Sequence, residues 1–344
     1  LDGAKISRVN AANRKFMAPW REYTMNDRVQ WSIAAMPSAL WAKKMFPELE
    51  PDAAIEKLWQ LIFDVCRVTG GDPVNEWKAH LDRLTGLKDK MNALDLESVH
   101  FESSNGTDLT VGIADKATWE SAASVSEKGV VFLPNIPTEE VFTAPHKDKV
   151  NGIVYGTKPY VFNGQLIKGF HVTFKDGRVV EHGADEGAEL LGQLLDTDEG
   201  ARSIGEVALV PASSPINRSG ALFYSTLFDE NAACHIAYGQ GIPVALPGGE
   251  DASPEELEAL LAPGGAMEAL ERAREQGKIL GEIADLTQVG LNDLSLLVQI
   301  VNFSTGCLDF TQEQLEKSTF PPAAGAGQQN GFILQIHMLV VPVG

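Results

Sequence analysis

Three places in this chain of 344 residues carry side chains that hydrolytic chemistry uses. The first is Pro134-Asn-Ile-Pro-Thr-Glu139-Glu140-Val-Phe-Thr-Ala-Pro145, two adjacent carboxylates between proline-fixed turns and an apolar flank. In an extended chain successive side chains point to opposite faces, so at most one of Glu139 and Glu140 faces any given pocket. The second is Ile204-Gly-Glu206-Val-Ala-Leu-Val-Pro211, where a lone Glu opens an apolar strand. A buried carboxylate is costly unless it is paired or bound to a metal. The third is Thr226-Leu-Phe-Asp229-Glu230-Asn231-Ala-Ala-Cys234-His235-Ile-Ala-Tyr238-Gly239, in which small residues leave room around His235 for an ion or a substrate.

Two Glu and one His offer oxygen and imidazole ligands that suit zinc, cobalt or manganese in a hydrolase. Carboxylates that bridge two cations hold them about 3.5–4 Å apart. Each place also has an ordinary alternative: a surface turn, an exposed strand end, a packed imidazole. Cys234 reads as a small buried hydrophobe, since a zinc thiolate site needs more Cys nearby. No phosphate-binding loop, dinucleotide fingerprint, Gly-x-Ser-x-Gly elbow or His-Glu-x-x-His string is present.

The elements that must position these groups are mixed. Residues 1–100 read as mainly helical, with apolar residues at helical spacing through Trp31, Ile33, Ala34 and Met36 and again from Ala53 to Cys66. Pro51 suits the first helical position. Asn75 to Thr85 predicts a further helix, followed by a linker-like helix to Leu94. From Ser98 the period changes to strand-like alternation, with Asn105-Gly106 and Asp176-Gly177 as hairpin turns and Leu166 to Phe174 as one strand. Asp229 to Ala237 predicts a helix. Ser253-Pro-Glu-Glu starts another, and Ala266 to Ala284 a second charged one. The expected architecture is α/β, with a helix-rich part over residues 1–125. A strand-rich mixed catalytic domain follows over 126–344, with a helical insertion near 253–285 and a strand-like end from Gly331.

Composition narrows the function. Lys plus Arg is 28 and Asp plus Glu is 47, so the net charge is 28 − 47 = −19. Such a chain repels nucleic acid and anionic membranes, and neither is expected as a partner. Three Cys build no disulfide framework and fit a reducing compartment, so a cytoplasmic location is expected. No apolar run reaches the roughly 18 residues of a spanning helix. The chain opens on Leu-Asp-Gly inside a helix-like pattern, which reads either as a fragment or as loss of a few residues.

The strings Asn135-Ile-Pro-Thr-Glu-Glu-Val-Phe-Thr, Gly152-Ile-Val-Tyr-Gly-Thr-Lys-Pro, Gly205-Glu-Val-Ala-Leu-Val and Thr226-Leu-Phe-Asp-Glu-Asn-Ala occur in that order. With Trp20-Arg-Glu, Trp41-Ala and Trp77-x-x-His80, they resemble the aminopeptidase T / aminopeptidase S family of dinuclear metallo-aminopeptidases over roughly residues 1–250. The resemblance implies a chain shortened at its N-terminus and divergent after about residue 250. It implies Glu140, Glu206 and His235 as metal ligands, the 66-residue gap (206 − 140) selecting Glu140 over Glu139. Glu139 is then the candidate general base or a residue supporting the ligands. Two divalent ions (zinc, cobalt or manganese), short peptide substrates and a homodimer are likewise implied.

Three further family ligands have no equivalent. A Tyr is replaced by Ile242, and a His and an Asp align with Ile300 and Asn302. His337 is a possible substitute for one, and Tyr238 stands near the missing Tyr. Three ligands suffice for one zinc with an open position but are few for two dications. One ion, or none, is therefore also open. The function expected is removal of the N-terminal residue from short peptides by a metal-bound hydroxide. The alternative is a non-catalytic relative with a degraded site that binds or supports other molecules.

Overall fold

The computed structural model describes residues 26–162, 165–249, 254–261 and 333–336, with Ala252 and scattered positions from 9 to 24. Of the helix expected over residues 1–16, Val9, Ala12, Asn13 and Phe16 are described and are helical; the charged helix 266–284, Ile300, Asn302 and His337 lie outside the described residues.

The architecture is mixed α/β, as expected. Helix Pro51–Val65 begins with Pro51 in its first turn and Asp52 behind it, both favourable at a helix N-terminus. It buries Ala54, Leu58, Ile62 and Val65, one stripe at helical spacing. That stripe packs with Ala42, Ile216, Phe223 and Phe228 into a distinct apolar cluster. Helix Pro73–Leu94 is capped by Asp72, whose carboxylate accepts the Asn75 N–H at 3.1 Å. It runs unbroken through the expected joint near Thr85, because Gly86 costs a helix only about 1 kcal/mol.

Trp31 to Met36 is not helical. Ile33–Ala34 pairs in parallel with Asn135–Ile136, and Ile33 and Met36 are exposed. Pro37 biases Met36 away from the helical region, and the segment is too short to bury a helical face.

Six strands form one sheet, in the order Arg178–Gly183, His171–Lys175, Pro145–Tyr155, Asp108–Ile113, Ser98–Glu102 and Ile333–Ile336. It draws strands from both sides of residue 125. Both hairpin signals are realised, with Gly106 and Gly177 at positive φ. The strand expected from Leu166 to Phe174 is split into Gln165–Ile167 and His171–Lys175. Gly169 turns the chain between them at φ +56°, where a Cβ would meet the Asp185 carboxylate at 2.0 Å.

A four-stranded sheet carries the candidate residues. Its strands are β1 (Glu120–Ser121), β2 (Val141–Thr143), β3 (Ile204–Leu209) and β4 (His235–Tyr238), in spatial order β4-β3-β2-β1. All three pairings are antiparallel. The helix expected over Asp229–Ala237 is overturned. One turn, Thr226–Asp229, and a 3-10 turn, Glu230–Ala232, lead directly into β4. Pairing with β3 and burial of Ile236 and Tyr238 override the local helical reading.

The main core fills the space between the two sheets and helix Ala188–Leu195. Val141, Val207, Leu209, Ile236 and Tyr238 from the small sheet meet Val99, Phe101, Val111 and Val172 from the large one. Because side chains alternate along a strand, the opposite face of the small sheet is left for other residues.

Candidate metal centre

That opposite face holds Glu140, Glu206 and His235. Ala208 pairs with both Phe142 and His235 across the sheet, and Glu206 pairs with Ala237. Residues two apart share a face, so these three side chains project together from three adjacent segments. One ligand atom from each lies within 4.8 Å of the others. Glu140 and His235 are buried, and Glu206 is partly so.

Glu206 sits at an irregularity. The β3–β4 register shifts between Ile204 and Glu206, a bulge of the kind that re-aims a side chain. Gly205 makes it possible, since a Cβ there would lie 1.9 Å from the Gln240 carbonyl oxygen. Ile242, which stands where a ligating Tyr was sought, donates its backbone N–H to the Gly205 carbonyl at 3.3 Å and offers no ligand atom from its side chain. Tyr238 belongs to the core face, stacked on Phe174 with ring centroids 6.3 Å apart. Its hydroxyl is buried without a hydrogen-bond partner.

The His235 ring is oriented from behind. Its Nδ1 lies 3.0 Å from the Ala233 carbonyl oxygen, which can only accept, so Nδ1 carries the proton. Nε2 then faces Glu140 Oε2 at 3.0 Å. A ring held this way presents a defined nitrogen to a metal. Cys234 is buried beside it, its thiol against the Val210 backbone, as a structural residue.

Electrostatics at this face are unbalanced. Burial, reinforced by the Glu140 charge, pushes the Glu206 carboxyl up to about 7. Burial alone pulls the His235 imidazole down, but Glu140, with Glu206 and Glu230, more than reverses this and holds it at about 10. Burial and the Glu140 charge also hold Glu230 well above the usual carboxylate range. Glu230 was quoted in its string but not counted as a site residue. Its place was hidden because the helix expected there gave it no defined direction.

Three carboxylates against one imidazole is a charge set that a divalent cation neutralises. Glu140 Oε2 is buried and accepts no well-aligned hydrogen bond, so its lone pair is open to a cation. The residues therefore fit a metal.

Glu139 faces the other way. Arg67 grips its carboxylate with both ends of the guanidinium, Nη2 to Oε2 at 2.7 Å and Nη1 to Oε1. Arg83 and His80 approach it at 3.7 Å. Burial raises the Glu139 carboxyl, against the pull of Arg67. The structure thus sets Glu139 in an ion-pair cluster apart from the three ligand atoms. Arg67 and Asn231 were not singled out in the sequence, where nothing marks a long-range ion pair.

A family model described as thermophilic metalloprotease (M29) matches residues 1–262. Aminopeptidase 2 of Geobacillus stearothermophilus is 46% identical over 258 residues, covering 75% of this chain and 62% of that protein. Aminopeptidase PepS of Streptococcus thermophilus is 45% identical, covering 70% of this chain and 58% of its own length. The solved structure of wild-type AmpT from Thermus thermophilus superposes with a TM-score of 0.68 at 41% identity, covering 73% of this chain and 62% of that one. The chain thus spans about three fifths of the length of the relatives it matches. The resemblance read from the short strings and the extended match agree, and the chain belongs to the thermophilic metalloprotease (M29) family.

Proposed function

We propose that the chain is the metal-binding part of an aminopeptidase that removes the N-terminal residue from short peptides. The observation that carries this is the convergence of Glu140, Glu206 and His235 on one face, ligand atoms within 4.8 Å. These three would hold a divalent cation, zinc, cobalt or manganese, with oxygen and imidazole donors. When bound, the cation supplies Lewis acidity toward a peptide carbonyl and toward water.

The remaining roles belong to the chain's own side chains. The Ala233 carbonyl keeps the proton on His235 Nδ1 and leaves Nε2 for ligation. Glu230, which burial and the Glu140 charge hold toward its neutral form, would ionise once a cation offsets the local negative charge and would then be suited to attract the free α-ammonium group of a peptide. That attraction would distinguish an aminopeptidase from an endopeptidase. A second cation, a homodimeric assembly and a cytoplasmic setting extend the same reading from the family resemblance and the acidic composition. Among the described residues no helix is long and apolar enough to cross a membrane.

The test is metal content and cleavage together. Protein equilibrated with zinc or cobalt and then dialysed should retain metal by elemental analysis. It should also hydrolyse leucyl dipeptides but not their N-acetylated forms. Absence of retained metal would overturn the proposal.

A further inference from the structure

The two residues before Glu140 are held from three directions. The His80 ring N–H donates to the Thr138 carbonyl at 2.7 Å. The Glu139 N–H donates to Asn231 Oδ1 at 2.7 Å. Arg67 grips the Glu139 carboxylate. His80, Thr138, Glu139 and Asn231 are all buried. Asn231 lies four residues before His235 and is itself anchored, its carbonyl accepting the Ser214 hydroxyl at 2.7 Å. Its side chain therefore ties the segment carrying Glu140 to the turn that leads into His235.

The backbone of Arg67 points the same way. Arg67 follows helix Pro51–Val65 with φ +57°, the left-handed conformation that glycine usually occupies after a helix. An Arg at this strained position makes sense where its side chain is required, and strain of this kind concentrates at functional sites. Here the required contact is the ion pair with Glu139.

We propose that Arg67 and Asn231 are positioning residues, which fix Glu140 opposite His235 before a cation arrives by clamping Glu139 from its side chain and its backbone. The inference rests on the metal reading above. Supporting groups around a metal site typically change its affinity about 10–100-fold when removed.

The test compares the parent chain with the double variant Arg67→Gly, Glu139→Gln and with Asn231→Ala. The double variant removes both charges together, so no buried ion is left unpaired, and places glycine where the backbone favours it. Zinc affinity is measured by competition with a chromogenic chelator, and the metal-free melting midpoint by calorimetry. The expected result is zinc binding weaker by about 10–100-fold in both variants, larger than any change in the metal-free midpoint accounts for. Arg67→Lys keeps the charge and loses the two-pronged grip, and it carries the same test should the others fail to fold. Affinity within twofold of the parent in the folded variants overturns the positioning role, whatever the midpoint does. A parent chain that binds no zinc overturns the metal reading, and this one with it.

Discussion

Glu139 and Glu140 are neighbours in sequence and serve opposite sides of the chain. The Glu139 carboxylate is bound to Arg67, while Glu140 Oε2 lies 3.0 Å from His235 Nε2. One carboxylate is neutralised by a permanent cation of the protein, and the other faces a set with an excess of negative charge.

Glu140→Gln tests this division directly. The substitution keeps the shape and removes the anionic donor. Retained zinc should fall to background and peptide hydrolysis by more than about 100-fold, a larger loss than supporting residues give. Glu139→Gln should weaken zinc binding only by the roughly 10–100-fold of a supporting residue and also lower stability, because it leaves the partly buried Arg67 charge unpaired. Equal metal loss in both variants would contradict the assignment.

Glu230→Gln should act on substrate rather than on metal. Losing a charge-assisted contact to the α-ammonium group costs about 1.5–3 kcal/mol, a KM raised about tenfold or more. Elemental analysis should show unchanged metal content. A fall in kcat at constant KM would argue for a different role.

His80 gives the fold a pH dependence. Burial first, then the neighbouring Arg67 charge, lowers its imidazole to about 4 from an ordinary 6.5. The unfolded chain therefore binds a proton at this residue between pH 6.5 and about 4 that the folded chain does not. Stability is fully present above 6.5 and is lost as pH falls toward 4, by at most about 3 kcal/mol. His80→Gln keeps an N–H for the Thr138 carbonyl and does not titrate. Its urea midpoint should vary less over this range than the parent's.

Gly205→Ala should disturb both stability and site. A Cβ 1.9 Å from the Gln240 carbonyl oxygen cannot fit without moving β3 against the turn that follows β4. The expected cost is about 1–3 kcal/mol by denaturant unfolding, with weakened metal retention because Glu206 is the next residue. A silent Gly205→Ala would show that the bulge is not needed.

The three candidate ligands that the structure brings together were legible because each sits in a short, distinctive string, and alternation already separated Glu139 from Glu140. The hairpins were legible at Asn105-Gly106 and Asp176-Gly177, where local turn chemistry dictates the fold. Asp229 to Ala237 was misread because its strand is fixed by pairing with residues 204–209, a long-range fact that local pattern does not carry. Arg67 was invisible for the same reason. It lies 72 positions from Glu139 and belongs to no motif.

The order in which the small sheet is threaded has a kinetic consequence. β2 and β3 are adjacent in space, yet Glu140 and Glu206 are separated by 66 residues (206 − 140), and three of the six strands of the large sheet are made from the chain between them. Closing that loop costs entropy that only long-range pairing repays. A cation added to the unfolded chain meets carboxylates still far apart, and it cannot nucleate their meeting. Zinc should therefore slow unfolding while leaving the refolding rate unchanged, the signature of a contact formed after the rate-limiting step.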